Sequence, residues 1–361
     1  MKGKAKFRIT TVIVQREIKN DNSLDPSYIT CITGGGGHTL IVNKHGQVFA
    51  CGLNTKGQLG LRTDTEHLVF EKIKSLDKYH IIQVACGWDS SLAVTKDGDL
   101  LVWGSNAYCQ LGIPKRKVPF TSIPLKVAVP HVRSVASGLR HSAILTKDGK
   151  LLVCGNGRNG QLGLTDSNGT PIAEVDHPQE VPGLNDVCKV ACGQQHTLVM
   201  TSNGRIFVWG SNKHGQLGVD PTLHSVIVTP KEIVLPLQPD AGCILLSGWT
   251  HAAILTDDGK IINWGRNTYA QLGCHEYQRP LSWKPQIMNN IGNVTQLAVG
   301  AEHNIAVLGT GRIVSWGWNE HGNCGTGTEE DVRVPTPVGI DIKQKAVTVG
   351  TGAGHSFALN C

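Results

Sequence analysis

Six histidines stand at one recurring spacing: His38, His141, His196, His251, His303 and His355, each the last residue of a Gly-x-x-His string. Imidazole is a common metal ligand and acid–base group, so a set of them invites a metal or proton-transfer reading. Ligands of one ion must converge to within about 2 Å of it. Residues at one equivalent position of successive repeats are instead spread radially and cannot converge. Hydrogen bonding to backbone between neighbouring strands is the expected task. Ser90 replaces the histidine in the copy at 87–90, so another polar group can occupy the position.

A second candidate chemistry fails in the same way. Gly155, Gly157 and Gly160 satisfy GxGxxG, a phosphate-cradling fingerprint that works only with a helix N-terminus behind it. No helical periodicity follows, and the equivalent strings carry asparagine where this one has Gly157 (Asn54, Asn106, Asn212, Asn267 and Asn319). Asn and Gly share a tolerance for left-handed backbone, so a corner is expected here. Eleven cysteines include no CxxC pair, which argues against a zinc site or a disulfide framework. No nucleophile–base–orienter set and no paired carboxylates stand out. The expectation is a protein with no cofactor, no metal and no covalent chemistry.

The elements behind these strings are repeats. CGLNTKGQLG at 51–60, WGSNAYCQLG at 103–112, CGNGRNGQLG at 154–163, WGSNKHGQLG at 209–218, WGRNTYAQLG at 264–273 and WGWNEHGNCG at 316–325 are copies of one corner. Their first glycines lie 52, 51, 55, 55 and 52 residues apart, and the seven Gly-x-x-His or Gly-x-x-Ser bends keep the same spacing. A period near 50 with short apolar runs between turn signals describes a propeller blade of three or four strands. Asp97-Gly98, Asp148-Gly149, Asn203-Gly204 and Asp258-Gly259 read as two-residue hairpins with positive φ at both central positions. Trp103, Trp209, Trp264 and Trp316 recur and are expected to pack between blades.

Seven bends face only six corners, and the unmatched bend is the last. A ring closes without an exposed sheet edge when the N-terminus joins the final blade. Residues 1–30 offer a β-branched run at 9–14 but no Trp-Gly-x-Asn string. The expected architecture is therefore all-β, a seven-bladed β-propeller with an incomplete closing blade. A basic, atypical segment at 1–30 precedes a propeller at 31–361.

Charge narrows the partners. Of the formal +6, residues 1–20 hold +5 (Lys2, Lys4, Lys6, Arg8, Arg16 and Lys19 against Glu17), which leaves about +1 for the rest. A near-neutral body disfavours nucleic acid, because phosphate binding needs clustered cations. No apolar run nears the roughly 18 residues of a membrane span, so no membrane insertion is expected. Unpaired cysteines fit a reducing compartment, cytoplasmic with the nucleus as a second location.

Function on such a scaffold is written where copies differ. The two residues inside each bend vary, and equivalent bends form a ring on one propeller face. Trp and Arg are enriched at interface hot spots, and this ring carries both. The expected contact residues are Trp88, Asp89, Arg140, Gln195, Trp249 and Glu302, with Arg266 and Trp318 as further variants beside the corners.

With both motifs in register over roughly 30–361, the chain resembles the regulator of chromosome condensation repeat family. ITGGGGHT at 32–39, ACGWD at 85–89, GSNKHGQLG at 210–218, SGWTH at 247–251 and SWGWNEHGNCG at 315–325 are similar to strings of its secretion-regulating branch. That resemblance implies a seven-bladed propeller and a guanine nucleotide exchange factor for a small GTPase, acting in secretion. It also implies that acidic side chains of the ring, here Asp89 and Glu302, engage the GTPase. The alternatives it implies are a scaffold for exocyst-type vesicle-tethering proteins and, behind that, a chromatin-binding propeller.

Overall fold

The computed structural model describes residues 12–14, 28–274, 280–338 and 346–360. Six four-stranded antiparallel sheets follow one another along the chain, spanning 29–72, 81–127, 132–180, 187–233, 244–287 and 294–337, here blades 1 to 6. A seventh sheet has three strands, in the order Val12–Val14, Ser356–Asn360, Ala346–Thr351. The expectation of seven blades is corrected accordingly: the described residues build six complete blades, and the seventh position is only partly filled. Residues 9–11 of the expected closing run lie outside the described residues.

The closing strand also runs the unexpected way. Val12–Val14 pairs parallel to Ser356–Asn360, with Val12 opposite Phe357, whereas every other pairing in the sheets is antiparallel. A tight hairpin forces its strands antiparallel. A strand arriving from the far end of the chain is under no such constraint.

Blade packing explains why the sequence alternates so little. The second strand of blades 1 to 5, such as His38–Asn43, Ser90–Thr95, His141–Thr146 and His196–Thr201, is buried along its whole length, and that of blade 6 is buried except at Leu308. Sheets cover both of its faces, so both faces must be apolar or satisfied. The core is a series of inter-blade layers. Thirteen buried residues, Trp264 among them, fill the layer between blades 4 and 5, against six on either side of the closing sheet. Trp103, Trp209, Trp264 and Trp316 are fully buried in these layers, as their recurrence predicts.

The hairpins differ from expectation in one respect. Thr95 N–H donates to Asp99 O (3.0 Å) and Gly98 N–H to Thr95 O (2.9 Å), which leaves a three-residue loop, Lys96 to Gly98. Only Gly98 has positive φ, at 91°. The loop therefore needs the left-handed conformation, and with it Gly, at one position and not two.

The pairing of His38 with Gly52 puts bend and corner at the same end of the blade, and the other blades repeat it. Bends and corners therefore share one propeller face, and hairpins occupy the other. Among the described residues no helix is long and apolar enough to cross a membrane.

Candidate functional site

The bend is built by its glycine and histidine together. Gly193 N–H donates to His196 O (2.9 Å), and the imidazole then folds back over the glycine. A Cβ on Gly193 would stand 1.9 Å from His196 Cε1, and one on Gly35, Gly138, Gly248, Gly300 or Gly352 would stand 2.1–2.4 Å from the matching Cε1. Only glycine leaves room for the ring.

Each histidine then reaches the next blade. Nε2 lies 2.9 Å from Ser91 Oγ for His38 and 3.0 Å from Thr197 Oγ1 for His141. It lies 3.0 Å from Ser247 Oγ for His196 and 3.1 Å from Asn304 Oδ1 for His251. His303 meets Ser356 Oγ and His355 meets Thr39 Oγ1, each at 3.0 Å, so the set runs across the closing sheet. The expected backbone partner is thus replaced by a side chain. Ser91 Oγ donates its one proton to Gln58 O (2.8 Å), and Thr197 Oγ1 does the same to Gln161 O (2.8 Å). The hydroxyls must therefore accept from Nε2–H, which fixes the tautomer. Nδ1 is left as a bare acceptor, and it is unpartnered in five of the six. Burial pushes His38, His196 and His303 down to about 3 and His141, His251 and His355 to about 4, so all six are neutral. They are blade staples. Among the described residues no group of His, Cys, Asp and Glu could hold a metal.

The corner glutamine completes the staple. Its main-chain carbonyl also accepts from the Trp of the next blade: Trp103 Nε1–H to Gln58 O (2.8 Å), Trp209 to Gln161, Trp264 to Gln216 and Trp316 to Gln271. Cys154, which stands at a Trp position, donates its thiol to Gln110 O instead (3.6 Å). Blade 2, whose bend ends in Ser90, joins blade 3 through Gln83, which donates to Val135 O (3.1 Å) and accepts from Val135 N–H (3.2 Å).

With the scaffold positions accounted for, the variable bend residues remain. The inner strands enclose a central cavity of about 370 Å3, and the bends ring its mouth. Their backbones are belted together: Gly36 N–H donates to Trp88 O, Gln194 to Trp249 O, Trp249 to Ala301 O and Ala353 to Gly35 O. Trp88, 44% exposed, and the half-buried Trp249 come from blades three repeats apart, yet their ring centroids are 5.4 Å apart at 46°. Beside them, burial raises the half-buried Asp89 carboxyl, while a hydrogen bond from Ser105 and the charges of Lys56 and Arg140 act the other way. Arg140 is exposed and lies over the Tyr108 ring at 4.2 Å. Gln195 is half-buried, and its main-chain carbonyl accepts from Ser211 N–H (2.8 Å).

Glu302 is withdrawn from the surface, although its carboxylate reaches Thr250, the neighbour of Trp249. It is 7% exposed, and its carboxylate accepts from Thr250 Oγ1 (2.7 and 2.8 Å) and from Gln271 Nε2, with Arg266 3.6 Å away. Burial raises its carboxyl above the usual range. The structure therefore joins Trp88 to Trp249 and Arg140 to Tyr108, and places Glu302 in an internal network. Lys56, Tyr108 and Tyr269 are neighbours that bend periodicity does not single out. A signal for two of them exists in the corners: Tyr108 and Tyr269 occupy the same place in WGSNAYCQLG and WGRNTYAQLG, and Arg266 lies over Tyr269 at 4.7 Å.

Comparison with known proteins agrees with this architecture. The model of the RCC1-like domain family matches residues 8–358. The mouse secretion-regulating guanine nucleotide exchange factor is 37% identical over 371 residues, covering 92% of this chain and 76% of its own. Human regulator of chromosome condensation is 29% identical over 92% of this chain and 83% of its own. Among solved structures, Prp20p from Saccharomyces cerevisiae, described with its binding to Gsp1p and histones, superposes with a TM-score of 0.78 at 25% identity, covering 92% of this chain and 83% of that one. With the family model spanning nearly the whole chain and every blade built from its bend and corner, the chain belongs to the RCC1-like domain family.

Proposed function

We propose that the protein is a guanine nucleotide exchange factor, or an exchange-factor-like regulator, of a small GTPase in regulated secretion, and that it binds through the bend-and-corner face. The observation that carries this reading is the Trp88–Trp249 pair at the centre of that face, flanked by Asp89 and Arg140. An aromatic centre that a partner can desolvate, with charges at its rim, is the usual anatomy of a protein hot spot. The names of the relatives supply the GTPase and the secretory setting. No cofactor or covalent step is required. An exchange factor binds the nucleotide-free GTPase more tightly than the loaded one, and by linkage it weakens GDP by the same factor. We place its action in the cytoplasm, with nuclear entry as a second location.

Release of labelled GDP from a panel of purified small GTPases tests the reading. Acceleration for at least one member, lost with Trp88→Ala, supports it; unchanged release across the panel overturns it. The internal use of the Glu302 carboxylate favours a second reading, because it takes one of the two bend acids away from a partner. In that reading the face is a non-catalytic scaffold for exocyst-type tethering proteins. Equal capture of a GTP-loaded and a nucleotide-free GTPase would mark it.

A further inference from the structure

The corner of one blade lies beside the bend of the next. Tyr108 of the blade 2 corner lies beneath Arg140 of the blade 3 bend, and Lys56 of the blade 1 corner acts on Asp89 of the blade 2 bend. Followed around the face, this neighbour rule assembles exposed cations on blades 1 to 3. Lys56, Lys115, Arg116, Lys117, Arg140 and Arg158 are all exposed. Lys115 is brought toward Arg158 through Glu174, which it meets at 2.7 Å and which pairs with Asn156, two residues before Arg158. Internal pairing uses little of this charge: Lys115 reaches Glu174 (2.7 Å), and Arg140 is engaged by an aromatic face that leaves its guanidinium edge open. Across the channel, the blade 6 corner and its following loop carry exposed Glu320, Glu329 and Glu330 instead.

We propose that this cationic arc, with Trp88 at its inner end, binds an acidic segment of a protein partner whose apolar residue rests on the Trp88 ring. The proposal takes from the preceding section only that this face is the one used, and it names the chemistry of what the face accepts. Nucleic acid fits less well. Its phosphates repeat without end and need a continuous basic track, whereas this arc is interrupted by Asp89, beside Lys56 and Arg140, and by Glu174, which holds Lys115. The opposite rim is acidic. A short run of carboxylates around one large apolar side chain matches both the extent of the arc and its exposed tryptophan. Such contacts act mainly through orientation and association rate, and they weaken with salt.

The test uses the whole chain and no GTPase. A fluorescein-labelled peptide of glutamates flanking a central Leu-Phe pair is titrated with the protein, and anisotropy is followed at low and at physiological ionic strength. Binding is expected, with about a tenfold loss in the double variant Arg140→Glu, Arg158→Glu and a smaller loss in Trp88→Ala. Arg140→Gln with Arg158→Gln should fall between, and all three variants should keep the parent's Tm, because these side chains lie at the surface. Unchanged peptide affinity in the double reversal overturns the proposal. So does a 20-nucleotide DNA strand that binds more tightly than the peptide and displaces it. Peptide binding without any accelerated GDP release keeps this proposal and removes exchange; accelerated release without peptide binding does the reverse.

Discussion

Trp88 and Trp249 touch across the mouth of the propeller, 5.4 Å between ring centroids, although 161 positions separate them and their blades are not neighbours. The bends ring the mouth of the channel, so residues on non-adjacent blades can meet there. The contact is partly exposed and involves no staple. Trp88→Ala is therefore expected to lower partner affinity by at least tenfold while Tm changes little. Surface plasmon resonance against a responsive GTPase, with a thermal melt of the same sample, checks both halves. A large fall in Tm with affinity intact would make the pair a structural brace instead.

Much of this arrangement was legible in the sequence, and the exceptions have physical causes. The repeat spacing located the blades, and glycine and histidine of each bend are explained by a ring that sits where a Cβ would be. Glu302 was expected on the surface because it holds the same bend position as Arg140. Its burial depends on Thr250 and Gln271, donors supplied by blade 5, and a one-dimensional period carries no record of which neighbour offers a donor. The Trp88–Trp249 contact was equally hidden, since it comes from the curvature of the ring. The three-stranded closing sheet could be anticipated from the missing corner. The parallel direction of Val12–Val14 could not, because no hairpin marks it.

The staples make stability depend on pH. In the fold the six histidines titrate at about 3 or about 4, against 6.5 when solvated. Below pH 6.5 the unfolded chain binds more protons than the folded one, so stability is fully present above that pH and falls as pH drops toward 4. Tm is expected to be level from pH 8 to 7 and to decline steadily below 6.5. His141→Gln should make the decline shallower while lowering Tm at pH 7.5. A calorimetric series that gave parallel curves for both proteins would refute this assignment.

The glycines of the bends are expected to be intolerant for a steric reason that can be isolated. Gly193→Ala forces a Cβ to 1.9 Å from the His196 ring, whereas Gly292→Ala meets nothing within 4 Å and has no positive φ. The first should cost roughly 1–3 kcal/mol as an overpacked core position, and the second should lie within about 0.5 kcal/mol of the parent. Urea unfolding of the two variants gives the comparison. Equal midpoints would mean that the bend relaxes around the added methyl and that the ring does not dictate the glycine.

Glu302 separates structure from binding most cleanly. Its carboxylate satisfies Thr250 and Gln271 and faces Arg266, so Glu302→Ala strands two buried donors and a half-buried cation. A loss of roughly 1–3 kcal/mol is expected from the unpaired groups. Glu302→Gln should cost less, because it keeps one acceptor for Thr250 while its new N–H2 opposes the donor of Gln271. Since the side chain is only 7% exposed, neither change should reduce GTPase affinity at 15 °C as much as Trp88→Ala does. Chemical denaturation paired with binding measured well below Tm distinguishes the cases. If Glu302→Gln kept full stability yet abolished binding, the carboxylate would be acting on the partner and the internal network would be secondary to it.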